Sequence, residues 1–182
     1  KSRNLEIKVR DELGIKQKLL SQKEVLELEP NLNPVFDAGI IYESAMHARD
    51  PHGILKQIFK LFLKRGGKFI QTNIKSVEQS KNDETIMKSE NEEYKFEKSV
   101  VASGAFSKQF TDQLGEKIPL DTERGYHVHF KGQERLISRP VIFLDRGFGI
   151  TPMNQGLRAV GTVELGGLKN PPSKSRIKNL IL

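Results

Sequence analysis

The chain has 182 residues, 36% hydrophobic and 29% charged, a composition that suits one soluble globular domain and leaves two compact ones short of core. It holds no cysteine, which removes disulfides, thiolate metal sites and cysteine nucleophiles together, and no apolar run nears the roughly 20 residues that span a bilayer. The net charge of +7 comes from 30 Lys and Arg scattered among 23 acidic residues; the one dense basic stretch, Lys169 to Lys178, has no interleaved aromatic and reads as a solvated surface segment rather than a nucleic-acid strip.

Lys1, Arg3, Glu6 and Lys8 break any signal-peptide pattern, and an opening Lys1 in place of methionine suggests that the natural start lies elsewhere. Residues 1–28 have mixed helical character, with Leu13, Leu19, Leu20, Val25, Leu26 and Leu28 among charges. Ser21 and Glu24 have the spacing of a capping box, which predicts a short helix from Gln22 to Leu28 stopped by Pro30. Gly39 to Tyr42 reads as a strand. Asp50 is a good N-cap, Pro51 fits the first helical position, and Ile54, Leu55, Ile58, Phe59 and Phe62 recur with helical period to make one apolar face. Lys64 and Arg65 suit the negative end of that helix, and Gly66-Gly67 stops it.

The period then changes to two. Lys68 to Thr72, Ile74 to Gln79, Thr85 to Lys88 and Tyr94 to Phe96 read as strands separated by polar turns. Ser99 to Ala102 reads as a buried strand, followed by Gly104 and a short helix from Ser107 to Leu114. Four further strands are expected at Tyr126 to Phe130, Val141 to Leu144, Phe148 to Thr151 and Leu157 to Val163. The expected class is α/β (α+β), with antiparallel sheet dominating the second half.

Several chemistries fail on reading. There is no G-x-G-x-x-G, G-x-S-x-G or H-E-x-x-H, and the glycines of Gly161 to Gly166 are followed by Gly167-Leu168 where a phosphate loop needs lysine and a hydroxyl. His127 and His129, two apart on a strand, share a face as metal ligands would, but no third ligand stands near and no metal site is expected. The run Lys95 to Ser107 is more informative: an apolar strand ends in a small-residue turn around Gly104, where a bulky ligand can approach the backbone. An ordinary strand-to-helix turn would look the same.

The order of motifs resembles the D-amino-acid oxidase-like family of FAD-dependent amine oxidoreductases, with bacterial D-amino-acid dehydrogenases the nearest pattern. The matching pieces are Asp50-Pro51, Arg65-Gly66-Gly67, Val100 to Ser107, Thr122 to His127, Ile150 to Met153 and Gly156 to Gly167. The family's N-terminal G-x-G-x-x-G and C-terminal flavin segment do not occur here, so the resemblance implies a central fragment, inactive when isolated. About 50–104 would carry FAD-domain elements. About 118–170 would form the sheet of a D-amino-acid oxidase-like substrate domain, mixed but largely antiparallel.

By that resemblance Ile74 offers its backbone to the adenine of FAD, and the turn Ala102, Ser103 and Gly104 passes close to the adenosine-pyrophosphate portion. Tyr126, His127 and Glu164 are the polar residues placed to meet an amine or amino-acid substrate, with Tyr126 preferred over His127 because neighbours on a strand face opposite ways. Arg124 is expected to serve a structural ion pair. Glycine oxidase's tyrosine falls at Gly149, which argues against glycine-oxidase chemistry. No catalytic residue is assigned. The reaction implied is oxidative deamination in amino-acid catabolism: hydride passes from the substrate α-carbon to flavin, and water hydrolyses the imine. The resemblance also implies a cytoplasmic protein, with peripheral contact at the inner face of the membrane if a quinone takes the electrons. Its further partners would be the remaining parts of its own chain. A non-catalytic β-rich module for an acidic partner would explain the charge but not the ordered motifs.

Overall fold

The structure, a computed structural model, describes residues 2–181. Lys1 and Leu182, the two ends included in the sequence reading, lie outside the described residues. The chain divides into two units: Lys1–Leu55, Tyr126–Thr162 and Lys174–Leu182 make one, and Lys56–Gly125 with Val163–Ser173 makes the other. Among the described residues no helix is long and apolar enough to cross a membrane. The architecture is mixed α/β with antiparallel sheet.

The first unit opens with α1 (Ser2–Glu12), β1 (Gln17–Ser21), α2 (Gln22–Leu28) and β2 (Ala38–Tyr42). Helix α2 starts where the capping box predicts. Ser21 Oγ accepts from the Glu24 amide at 3.3 Å, and the Glu24 carboxylate accepts from the Ser21 amide at 2.8 Å. Leu19 and Leu20, read as helical, instead lie in β1, where they pair antiparallel with Ile40 and Gly39. Long-range pairing with an apolar strand outweighs the local helical pattern there. A four-stranded sheet follows, in the order β6 (Arg124–Phe130), β9 (Gly156–Glu164), β8 (Phe148–Met153), β7 (Val141–Phe143). Both the β7–β8 and the β8–β9 pairings are antiparallel.

One face of that sheet closes over the core. Leu32, Ile137 and Leu157 form its buried centre, with Phe130, Val141, Phe143 and Ile150 from the sheet and Val25 and Leu26 from α2 packed against it. Gly156 turns the chain from β8 into β9 at φ +127, and a Cβ there would press into the Phe130 carbonyl. Below the core, Glu29 is only 5% exposed. Its carboxylate accepts from the Ser138 amide at 2.9 Å, from the Ser138 hydroxyl and from Arg139 Nε at 3.0 Å. A buried carboxylate held by this many donors ties the end of α2 to the loop before β7.

Helix α3 (Pro51–Lys64) begins as expected: Asp50 Oδ1 accepts from the Gly53 amide at 2.8 Å. It ends on Gly66, at φ +87, whose amide donates to the Leu63 carbonyl. The helix forms, yet none of its residues is buried; Ile58 is 59% exposed.

In the second unit β3 (Ser76–Gln79), β4 (Thr85–Lys88) and β5 (Glu93–Phe96) form an antiparallel meander. Gln113 on α4 (Lys108–Gln113) ties itself to β3, accepting from the Val77 amide at 2.9 Å and donating to the Lys75 carbonyl at 3.3 Å. Val77 and Phe110 are buried. A single 3-10 turn, Gly104–Phe106, precedes α4. Two expected strands do not form: Lys68 to Thr72 and Ser99 to Ala102 take no regular secondary structure, and Val100, expected to be buried, is 87% exposed. An apolar run becomes a strand only where another strand takes its amides and carbonyls. Beyond Ser173, α5 (Lys174–Lys178) gives the basic tail one short helix that the sequence reading did not include.

Candidate cofactor and substrate sites

Strand β3 begins two residues after Ile74, so Ile74 lies in the extended entry to the meander rather than in its ladder. It lines a cleft of about 450 Å³ in the second unit. Val77, Met87 and Phe110 supply an apolar floor, while Thr72, Asn73, Ser103 and Gln109 supply polar groups at the rim. An apolar slot with a few convergent polar groups fits a flat heteroaromatic ring. Ile74 and Ser103, 29 positions apart by their numbers, therefore meet at one cleft. Ala102 and Gly104 flank Ser103, outside the lining. Gly104 holds φ +55, and a Cβ built there meets nothing within 4 Å. Its backbone favours glycine by conformation, while the space beside it stays open for a ligand.

The substrate-side residues are placed by strand alternation. Phe130 packs on the core, so Tyr126 shares the core-facing side of β6, where it is 5% exposed. His127 and His129 point the other way, their rings edge to face at 5.2 Å. On the adjacent β9, Leu157 and Ala159 are both buried, so Arg158 between them also projects from the open face. Burial pushes the His127 titration down, and the charges of Arg158 and His129 push it further the same way. His129 Nδ1 and Arg158 Nε are buried and have no hydrogen-bond partner. Among the described residues no group of three metal-ligating side chains forms, so the two histidines remain a pair.

Glu164 belongs to the second unit, where its Oε2 lies 3.6 Å from Arg124 Nη1. Arg124 Nη2 also donates to the Asn170 carbonyl at 2.7 Å. Arg124 thus has the structural ion pair that its chemistry suggested, with Glu164 as the acid rather than the adjacent Glu123. Sequence reasoning missed Arg158. The available signal was its position in Leu157-Arg158-Ala159, a charge between two apolar residues of a period-two strand.

Comparison with known proteins extends these observations. The family model described as DAO, FAD dependent oxidoreductase, matches residues 2–181. The chain is 32% identical over 173 residues to a D-amino-acid oxidase of Bradyrhizobium diazoefficiens, covering 95% of this chain and 41% of that protein. It is 25% identical over 167 residues to a D-amino acid dehydrogenase of Vibrio vulnificus, covering 89% and 40%. In fold it is similar to a glycine oxidase from Geobacillus kaustophilus, with TM-score 0.81, 17% identity, and coverage of 94% of this chain and 46% of that one. The chain spans about two fifths of the length of the curated relatives it matches.

Proposed function

The chain belongs to the DAO family of FAD-dependent oxidoreductases, and from that premise we propose that the full-length protein oxidatively deaminates a D-amino acid or a related amine. The observation that carries the reading is the cleft at which Ile74 meets Ser103. Its apolar floor and polar rim suit the adenosine end of FAD, with Ile74 and Ser103 lining it and Ala102 and Gly104 on either side of Ser103. Residues of about 50–104 then serve the cofactor and those of about 118–170 the substrate. The names carried by the two curated relatives support a D-amino acid.

FAD, when bound, supplies the hydride acceptor. The chain's own residues have the task of holding the substrate with its α-C–H directed at that acceptor and its amine unprotonated. His127, whose imidazole is biased toward the neutral form, can accept a proton from an ammonium group. Tyr126 acts from the core side by fixing the strand that carries His127, while Glu164, in the second unit, is engaged by Arg124.

The test is the full-length protein. Purified, it should carry FAD, and anaerobic addition of D-amino acids, not their L-enantiomers, should bleach the flavin. Ser103→Phe, which fills the cleft from an exposed position, should weaken FAD binding by about tenfold or more without lowering the melting temperature of the apoprotein. Full flavin occupancy in that variant would remove the cleft from the site. A flavin that amines leave oxidised would remove the deamination.

A further inference from the structure

Ile74 stands two residues before the β3 ladder, so the sheet itself does not fix its backbone. The next residue does, because it is held from both sides. The Lys75 N–H donates to the Lys88 carbonyl at 2.8 Å, and the Lys75 carbonyl accepts from Gln113 Nε2 at 3.3 Å. The peptide unit is planar, so the first bond sets the Ile74 carbonyl and the second sets the plane that follows it. Gln113 Oε1 also accepts from the Val77 N–H at 2.9 Å. These two bonds are the kind that a neighbouring strand makes. Among the described residues β3 has β4 on one side and no strand on the other. A side-chain amide carries an N–H donor and a carbonyl acceptor, as a peptide unit does, and Gln113 gives both to that open edge. Its two partners leave the amide one orientation: oxygen to the Val77 N–H, nitrogen to the Lys75 carbonyl.

The same helix builds another wall of the cleft. Gln113 follows Gln109 and Phe110 by four and three positions, so one face of α4 carries all three. Gln109 and Phe110 line the cleft together with Ile74 and Val77. Helix α4 has only six residues, too few to hold a place by helix propensity, so its ties to β3 decide where that wall stands. Gln113 therefore acts on the cleft twice, through the peptide beside Ile74 and through the helix that bears Phe110.

We propose that Gln113 is a positioning residue for the cofactor cleft, its side chain standing in for an absent strand and holding the backbone at Ile74 ready for a ligand ring. The role rests on the reading of this cleft as the adenosine site of FAD. A contact group already held in its bound orientation raises affinity, because binding does not have to order it. The chemistry asks for glutamine in particular. Leucine offers neither bond, and a carboxylate accepts from Val77 but turns a second oxygen on the Lys75 carbonyl.

The test is FAD binding to the full-length apoprotein, followed by quenching of flavin fluorescence, with each variant compared with wild type at the same pH. Gln113→Leu should raise the FAD Kd by about tenfold at every pH. Gln113→Glu should bind FAD about tenfold more weakly near pH 7, and the deficit should close as pH falls through about 5, where a protonated carboxyl regains the donor to Lys75. Should Gln113→Leu not fold, Gln113→Glu, which keeps the Val77 bond, carries the test. A purely structural glutamine would lower the melting temperature of the apoprotein and leave the FAD Kd unchanged, a result that overturns the proposal. A Gln113→Glu deficit that is the same at both pH values overturns it too. Wild-type affinity in both Gln113 variants, with weakened binding in Ser103→Phe, sinks the positioning role and leaves the cleft as the adenosine site. Wild-type affinity in Ser103→Phe sinks the cleft, and the positioning role with it.

Discussion

Thr162 holds φ +57, a left-handed conformation that a β-branched residue strongly disfavours. It follows Gly161, the last β9 residue in the β8–β9 ladder, so the strained position lies where that pairing stops. A left-handed residue in a strand bends it and raises its twist. The strain is worth about 1–2 kcal/mol for an L-residue, partly offset by glycine's greater loss of chain entropy. Thr162→Gly should therefore stabilise the fold by about 1 kcal/mol in urea denaturation, whereas Thr162→Ala should not. A destabilised Thr162→Gly would mean that the threonine side chain contributes something the conformation does not show. Little of this was legible beforehand: a Gly161-Thr162-Val163 run reads as ordinary strand, because φ is set by where the neighbouring ladder ends. Arg124 was more legible, since a guanidinium on a strand can pair with a carboxylate, and a structural ion pair was the expectation. Its partner, Glu164, is 40 positions away by number, and no local rule names it.

Elements with their own start and stop signals formed where the sequence put them. Helices α2 and α3 are bounded by Ser21 and Asp50 at one end and by Pro30 and Gly66 at the other, all local chemistry. Elements that depend on a distant partner were misread: β1 took Leu19 and Leu20 from a helical pattern, and Lys68 to Thr72 and Ser99 to Ala102 found no strand to join. Ile74 and Ser103, chosen by motif order, line one cleft together. The open face of the second-half sheet was not legible, because alternation names a face only after the core side is known. For α2 the cap can be tested by acid. The Ser21 amide and hydroxyl, and then Lys18, hold the Glu24 carboxyl at about 2, below its ordinary 4.5. A lowered folded-state value means that the cap's contribution is complete above pH 4.5 and fades as pH falls through about 2. The Ser21 amide resonance in a pH titration should move with a midpoint near 2, and in Glu24→Gln it should stay still. A midpoint at 4.5 would show that the capping box is not formed.

At the scale of the whole molecule, a group of large apolar side chains lies in the open: Ile54, Leu55, Ile58, Phe59, Phe62, Phe69 and Ile70 are all exposed, on α3 and the segment after it. A helix apolar on this scale is stable in water only when something covers it, because packing of the apolar face rather than propensity supplies most helical stability. Residues 1–182 expressed alone should therefore self-associate, enhance the fluorescence of a hydrophobic dye, and show fast amide exchange along α3. They should also be colourless, for the cleft at Ile74 offers an adenosine contact and this sequence holds no G-x-G-x-x-G turn to take the pyrophosphate. In the full-length protein the same α3 amides should exchange more slowly by a factor of about a hundred or more, the equivalent of ~3 kcal/mol of added cover. Monomeric residues 1–182 with slow exchange in α3 would show that the apolar helix is stable without cover, and flavin bound to them in equal amount would show that the cleft alone suffices. Dye binding and fast exchange confined to α3 and Phe69-Ile70 would instead locate the uncovered surface on the elements whose large apolar side chains stand exposed among the described residues.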